Sequence, residues 1–347
     1  MGENGNILDV RDLTVEFAVD EGVVRAVDRV SFFVRRGEVI GLVGESGCGK
    51  SVTALSVLRL IPSPPGRIVD GTAEFKGENL LGLPIQRLRS LRGREISMIF
   101  QEPMTALSPL HRVGRQLAEA QRLHSDVGVR EARRHGREWL AKVGIADPDR
   151  AMDMYPFQLS GGMRQRVMIA MSLMLDPRLV IADEPTTALD VTIQAQVFDL
   201  MREMKRTETS LLLITHDMGV IWEMCERVVV MYASEMVETA PVAELFERPL
   251  HPYTEALLAS VPSLEGSDSR LPAIEGSVPS PLEYPPGCRF NNRCPYVFDR
   301  CYREHPPLYR VQGCDGRCFL LDGETREGDA YRRQRGLTEA TTSTKQA

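Results

Sequence analysis

The run Val39-Ile-Gly-Leu-Val43, passing straight into Gly44-Glu-Ser-Gly-Cys-Gly-Lys-Ser51, constrains this chain more than any other segment. A continuous apolar stretch of this length, closed by glycine, reads as a strand buried on both faces. The apolar spacing and small residues from Ser51 to Leu60 read as the helix that follows. Between them lies the spacing G-x-x-x-x-G-K-[ST], in the strand–loop–helix context that gives it meaning. Glycines let consecutive backbone N–H groups turn inward around phosphate oxygens, and the helix N-terminus adds its positive end. The loop residues Gly44, Glu45, Ser46, Gly47, Cys48, Gly49, Lys50 and Ser51 are therefore candidates for holding a nucleoside triphosphate. Lys50 is expected to reach the β- and γ-phosphates, and the Ser51 hydroxyl to ligate Mg²⁺.

Further along, Ile96–Phe100, Leu179–Ala182, Leu211–Thr215 and Val228–Tyr232 read as strands, alternating with helices over Thr192–Met204 and from Asp217. That alternation predicts a parallel sheet covered on both faces, an α/β fold. Earlier, Leu13–Phe17 and Val30–Val34 read as two strands around a polar turn near Glu21-Gly22. The stretch from about Leu110 to Gly144, rich in Arg, Glu, Gln and Ala at helical spacing, reads as an inserted helical subdomain, placed at about 104–160. The nucleotide-binding domain is set at 1–250. A Pro-rich connector and five cysteines mark a C-terminal extension at 251–322. The last stretch, 323–347, charged and nearly without apolar residues, is expected to be disordered.

Several polar residues sit where strands end, which is where parallel sheets present their ligand crevice. Asp183 and Glu184 close a buried strand, a costly place for carboxylates unless they hold a cation or act on a substrate. Asp183 is placed to orient Mg²⁺, and Glu184 to polarise the water that attacks a γ-phosphate. Gln101 and His216 each follow a strand directly. Leu159-Ser-Gly-Gly-Met-Arg-Gln165 opens a helix with a hydroxyl and free N–H groups, a second place that suits an anion.

The ordered set of Gly44–Ser51, Gln101, Leu159–Gln165, Leu179–Glu184, Ala188-Leu-Asp190 and His216 resembles the ATP-binding subunit of an ABC transporter, over residues of about 7 to 250. The resemblance implies a P-loop ABC ATPase fold: a parallel core sheet with an antiparallel β subdomain and a helical subdomain. It implies that two such subunits face head to tail around ATP and Mg²⁺. Ser160, Gly161 and Gly162 of one would then cap the γ-phosphate held by Lys50 of the other. Asp190 would act across that interface, Phe17 would stack on adenine, Gln101 would join Ser51 and Asp183 around Mg²⁺, and Glu184, His216 and Gln101 would serve hydrolysis.

Ile61-Pro-Ser-Pro-Pro-Gly66, Thr186–Gln194, His251-Pro-Tyr-Thr-Glu-Ala-Leu-Leu258 and Gly287-Cys-Arg-Phe-Asn-Asn-Arg-Cys-Pro295 narrow the likeness to the oligopeptide/dipeptide importer branch, and within it to the "D" type of subunit. That branch implies uptake of peptides, with nickel chelates or oligosaccharides as other cargoes. It also implies a non-identical second ATPase subunit, two transmembrane permease subunits and an extracytoplasmic substrate-binding protein. Such a subunit works peripherally on the cytoplasmic face of the inner membrane.

Five cysteines, Cys288, Cys294, Cys301, Cys314 and Cys318, are separated by 5, 6, 12 and 3 residues. Thiolates so placed can hold tetrahedral Zn²⁺ or an iron–sulfur cluster, and spacing alone does not choose. The branch likeness implies a [4Fe–4S] cluster on Cys288, Cys294, Cys301 and Cys318, leaving Cys314 over. Bulk properties exclude other classes. A net charge of −6 argues against nucleic acid as the ligand. No apolar run reaches a membrane span, and the N-terminus has no basic start and no apolar core, so a cytosolic chain is expected. Long coiled-coil insertions, tandem domains or basic arms, which would suit a non-transport ABC ATPase, are not found.

Overall fold

A computed structural model describes residues 5–102, 106–186, 191–205, 209–260, 274–323, 325–337 and 341–342. The chain divides into two compact units. One comprises residues 1–8, 34–39 and 74–214; the other comprises residues 9–33, 40–73 and 215–347.

In the first unit, strands Ile96–Ile99, Leu179–Asp183 and Ser210–Ile214 pair in parallel, the middle one being Leu179–Asp183. All are buried along their whole length, which is why they are apolar without alternation. Helix Gly161–Leu173 packs on this sheet with Val167, Met168, Ile169 and Leu173 buried, and its Ser172 hydroxyl donates to the Met98 carbonyl at 2.9 Å. Three further helices, Val113–Arg122, Val129–Lys142 and Pro148–Asp153, pack together. The first two approach closely because Gly136 faces Leu117, where an added Cβ would lie 3.0 Å from the leucine's. Arg137 clamps Asp149 through two hydrogen bonds of 2.6 and 2.8 Å.

In the second unit, strand Val39–Val43 pairs in parallel with Arg227–Tyr232, which pairs antiparallel with Glu235–Pro241. Strand Glu235–Pro241 then takes Cys314–Gly316 on its other edge, and that strand pairs with Tyr309–Val311. The cysteine segment is thus stitched into a sheet that also carries the strand before the phosphate loop. The long strands Asn6–Val19 and Gly22–Arg35 adjoin each other in a separate sheet, with the turn where Glu21-Gly22 predicts it.

One expectation is corrected. Residues 326–335 form a helix, with Tyr331 and Arg332 buried, rather than a disordered tail. The Thr325 hydroxyl caps its N-terminus by accepting the Gly328 N–H, and Gly336 (φ 61°) ends it in the left-handed conformation. Tyr331 meets Tyr296 edge-on at 5.5 Å, and Arg335 lies over the Tyr331 ring while pairing with Glu255 at 2.7 Å. Tyr331 and Arg332 supply burial that composition alone does not reveal.

Candidate nucleotide site and cysteine lobe

In the second unit the phosphate loop leaves strand Val39–Val43 at Gly44 and enters helix Lys50–Val57 from Gly49. Both glycines have positive φ, 150° and 102°. A side chain at Gly44 would run into the Met231 carbonyl, and one at Gly49 into that of Ala26. Glycine is required there on two counts, conformation and space. Lys50 is 7% exposed and arches back over the loop, its ammonium donating to the carbonyls of Gly44 (2.8 Å) and Glu45 (3.0 Å). Cys48 is buried beneath it. Burial, outweighing the nearby Lys50 charge, pushes its thiol above the ordinary value, so it is a packed loop residue rather than a reactive thiolate. Phe17 is half-buried against Gly66, whose added Cβ would lie 2.8 Å from the ring. His216 is exposed, just ahead of Asp217, which caps helix Met218–Met224 by accepting the N–H groups of Gly219 and Val220.

In the first unit, Asp183 is 3% exposed at the end of its strand. Glu184 turns out of the strand in the left-handed region (φ 45°), its N–H donating to the Ile214 carbonyl at 2.9 Å. A non-glycine residue held there stores backbone strain of about 1–3 kcal/mol, of the kind that marks functional positions. Two residues singled out by sequence, 83 positions apart, meet here: the Gln101 amide donates to the Glu184 carboxylate at 3.2 Å. The fully buried Gln165 amide donates to the Pro185 carbonyl and so ties the Ser-Gly-Gly helix to the segment behind Glu184. Ser160 caps that helix by accepting the Met163 N–H at 3.3 Å. Ser160 and Gly161 are exposed, with open space where a Gly161 side chain would be. Asp190 lies outside the described residues.

The C-terminal segment adds residues that sequence reading did not rank. Arg289, directly after Cys288, pairs with Asp28 and with Glu235 (3.1 Å), donates to the Ala233 carbonyl (2.6 Å) and stacks on Tyr284. Burial opposes ionisation of Asp28, but Arg289, with Arg29 and Arg25, outweighs it and holds the carboxyl below its usual range. Arg293, directly before Cys294, pairs with Glu45 of the phosphate loop at 2.8 Å. Cys288, Cys294, Cys301 and Cys318 line one narrow hollow together with His251, Phe290 and Phe319. Cys314 is not part of that lining. Burial, reinforced by the neighbouring thiols, raises Cys288 to about 11 and Cys294 to about 12. Among the described residues, no group of three or more His, Cys, Asp or Glu is arranged to hold a single metal ion.

Comparison with known proteins decides the family. Residues 27–187 match the ABC transporter family model, and residues 237–301 match that of the oligopeptide/dipeptide transporter C-terminal region. A probable peptide ABC transporter ATP-binding protein of Sinorhizobium fredii is 54% identical, covering 88% of this chain and 92% of its own length. The chain belongs to the ABC transporter ATP-binding proteins. It is similar also to the oligopeptide transport ATP-binding protein AppD of Bacillus subtilis, at 48% identity over 92% of this chain and 98% of the relative. The dipeptide transport ATP-binding protein DppD of Escherichia coli is 46% identical, over 90% and 94%. The dimeric cassette MJ0796, in its ADP- and phosphate-bound form, shares the fold at a TM-score of 0.62 and 24% identity, covering 68% of this chain and 98% of that one. This ABC ATPase therefore has the P-loop cassette fold, with mixed sheet and helices, and it hydrolyses ATP. Among its described residues no helix is long and apolar enough to cross a membrane.

Proposed function

We propose that this ABC ATPase couples ATP binding and hydrolysis to the uptake of di- and oligopeptides. The observation that carries the reading is the match of residues 237–301 to the oligopeptide/dipeptide transporter C-terminal region. The relatives named for peptide, oligopeptide and dipeptide transport support it across most of the chain. In this reading the ATPase sits peripherally on the cytoplasmic face of the inner membrane. It works with a second, non-identical ATPase subunit, two permease subunits and an extracytoplasmic binding protein.

The residues divide the work by chemistry. Backbone N–H groups of the phosphate loop and the Lys50 ammonium bind the phosphates, Lys50 exchanging its two carbonyl partners for phosphate oxygens. Phe17 stacks on the adenine. Ser51, Gln101 and Asp183 offer the hard oxygen donors that suit Mg²⁺, which would neutralise charge on the β- and γ-phosphates. Glu184 accepts a proton from the attacking water, and its hydrogen bond to Gln101 fixes where its carboxylate lies. His216 senses the γ-phosphate. Ser160, Gly161 and Gly162 at a helix N-terminus, the first two exposed, serve with Asp190 the nucleotide of the partner ATPase subunit. The Glu184→Gln protein should bind ATP as wild type does while hydrolysing it about 10²–10⁴-fold more slowly, the usual worth of a general base. Steady-state ATPase rates beside nucleotide-binding titrations check this, and hydrolysis at the wild-type rate would remove Glu184 from that role.

The cysteine lobe suits a [4Fe–4S] cluster in donor chemistry, since four thiols line one hollow. When bound, the cluster would cross-link four separated points of the lobe. Burial pushes the Cys288 and Cys294 thiols up, so holding a cluster would require them to give up their protons. Anaerobically purified protein is expected to be brown and to contain about four irons per chain. Colourless Cys294→Ser protein supports the assignment, while wild type carrying one zinc and no iron overturns it.

A further inference from the structure

Glu45 of the phosphate loop is held from three sides, two of them by groups from the C-terminal part of the chain. Its backbone N–H donates to the Tyr253 hydroxyl at 2.8 Å, its carbonyl accepts from Lys50 at 3.0 Å, and its carboxylate takes the Arg293 guanidinium through two bonds of 2.8 and 3.1 Å. The Arg293 side chain is 2% exposed. Besides Glu45 it donates to the Tyr232 hydroxyl (3.3 Å) and to the carbonyls of Ile274 (3.3 Å) and Glu275 (2.9 Å). Five contacts meet the five N–H donors of a guanidinium, a match that lysine could not reproduce. Tyr253 is equally fixed: fully buried, its ring packs against Tyr232 at 4.6 Å and Phe290 at 5.6 Å between centroids.

A phosphate loop binds through the direction of its successive N–H groups, so fixing Glu45 fixes the path of the amides that follow it. A carboxylate beside the phosphates would otherwise repel them, and pairing it with a buried arginine both neutralises it and turns it aside. A carboxylate that is 28% exposed could remain in water at little cost.

We propose that Arg293 and Tyr253 are positioning residues for the phosphate loop, through which the cysteine lobe sets the affinity for ATP. The proposal rests on the reading of Gly44–Ser51 as a nucleotide site. It assigns a task to the lobe within the ATPase cycle that does not depend on which cargo is moved. Arg293 directly precedes Cys294, so the segment that lines the cysteine hollow is the same one that grips the loop.

The test uses the full chain and a fluorescent ATP analogue, with unlabelled ATP as competitor. Arg293→Met and Tyr253→Phe should each weaken binding by about fivefold or more, the lower range of site-to-site coupling, and raise KM more than they lower kcat. Arg293→Lys should recover part of the loss. Glu45→Gln combined with Arg293→Met should be no worse than the worse single variant, because both remove one interaction. Tyr253→Phe keeps the ring and removes only the hydroxyl, so it reports even where Arg293→Met fails to fold. Wild-type affinity in Tyr253→Phe and in folded Arg293 variants, or fully additive losses in the double variant, overturns the proposal. Wild-type protein that binds no ATP at all would instead overturn the underlying nucleotide-site reading.

Discussion

Gly49 shows how little freedom single residues have at this site. It combines a φ of 102° with contact against the Ala26 carbonyl, so any side chain meets both strain and a backbone atom that cannot move aside. Gly49→Ala is expected to abolish ATP binding while lowering the thermal midpoint by several degrees. Gly47→Ala, at φ 81° but facing open space, should lose affinity while keeping more of its stability. Nucleotide titration and thermal denaturation of the pair check this ordering, and equal losses of stability in the two would contradict the part given to the Ala26 clash. Residues of this kind were legible in sequence, because the glycine–lysine spacing encodes them directly. Asp183, Glu184 and Gln101 were legible for a different reason, each lying at or just past the end of an apolar strand. Arg289 and Arg293 were not. Arginines between cysteines look like solvated charge until the fold brings Asp28 and Glu45 beside them.

At the scale of elements, strand Glu235–Pro241 carries a buried carboxylate that joins it to helix Pro252–Ala259. Glu238 is fully buried and accepts the N–H groups of Leu250 (2.8 Å) and His251 (2.9 Å); His251 in turn caps the helix by accepting the Tyr253 N–H. Burial lifts Glu238 to about 7, the N–H donors opposing it only in part. Burial lowers His251 to about 3, with the Arg317 charge acting in the same direction. The signs oppose. A carboxyl raised in the folded protein favours stability at low pH and loses that contribution between about pH 4.5 and 7. A histidine depressed in the folded protein contributes stability above about pH 6.5 and loses it as pH falls towards 3. Wild-type stability should therefore be nearly flat between about pH 4.5 and 6.5 as far as this pair is concerned. Glu238→Gln leaves only the histidine contribution, and the difference between variant and wild type should then rise with pH, by up to about 1.4 kcal/mol per pH unit. Denaturation midpoints across that range provide the measurement, and a pH-independent difference would contradict the assignment. The helix Arg326–Arg335 has its caps, Thr325 and Gly336, in plain view in the sequence, but its burial rests on Gly328, Tyr331 and Arg332, which its charged composition hides.

For the whole molecule, the sequence motifs separate into two groups that fall in different compact units. The phosphate loop and His216 lie in one, while Gln101, the Asp183-Glu184 pair and the Ser-Gly-Gly helix lie in the other. Motif order revealed the family because each motif is local, a loop or strand end with its own spacing. The integration of the cysteine lobe into the sheet was not legible, since antiparallel pairing of Cys314–Gly316 with Glu235–Pro241 is a long-range choice that leaves no periodic signature. The most direct test of the account is peptide uptake by the assembled transporter in vesicles, with ATP supplied on the side of the ATPase subunits. A labelled di- or oligopeptide should accumulate with ATP hydrolysis, and assembly with Glu184→Gln protein should bind the same partners and accumulate none. Peptide accumulation that continues with the Glu184→Gln protein, or ATP hydrolysis by the wild-type assembly that never moves peptide, would contradict it.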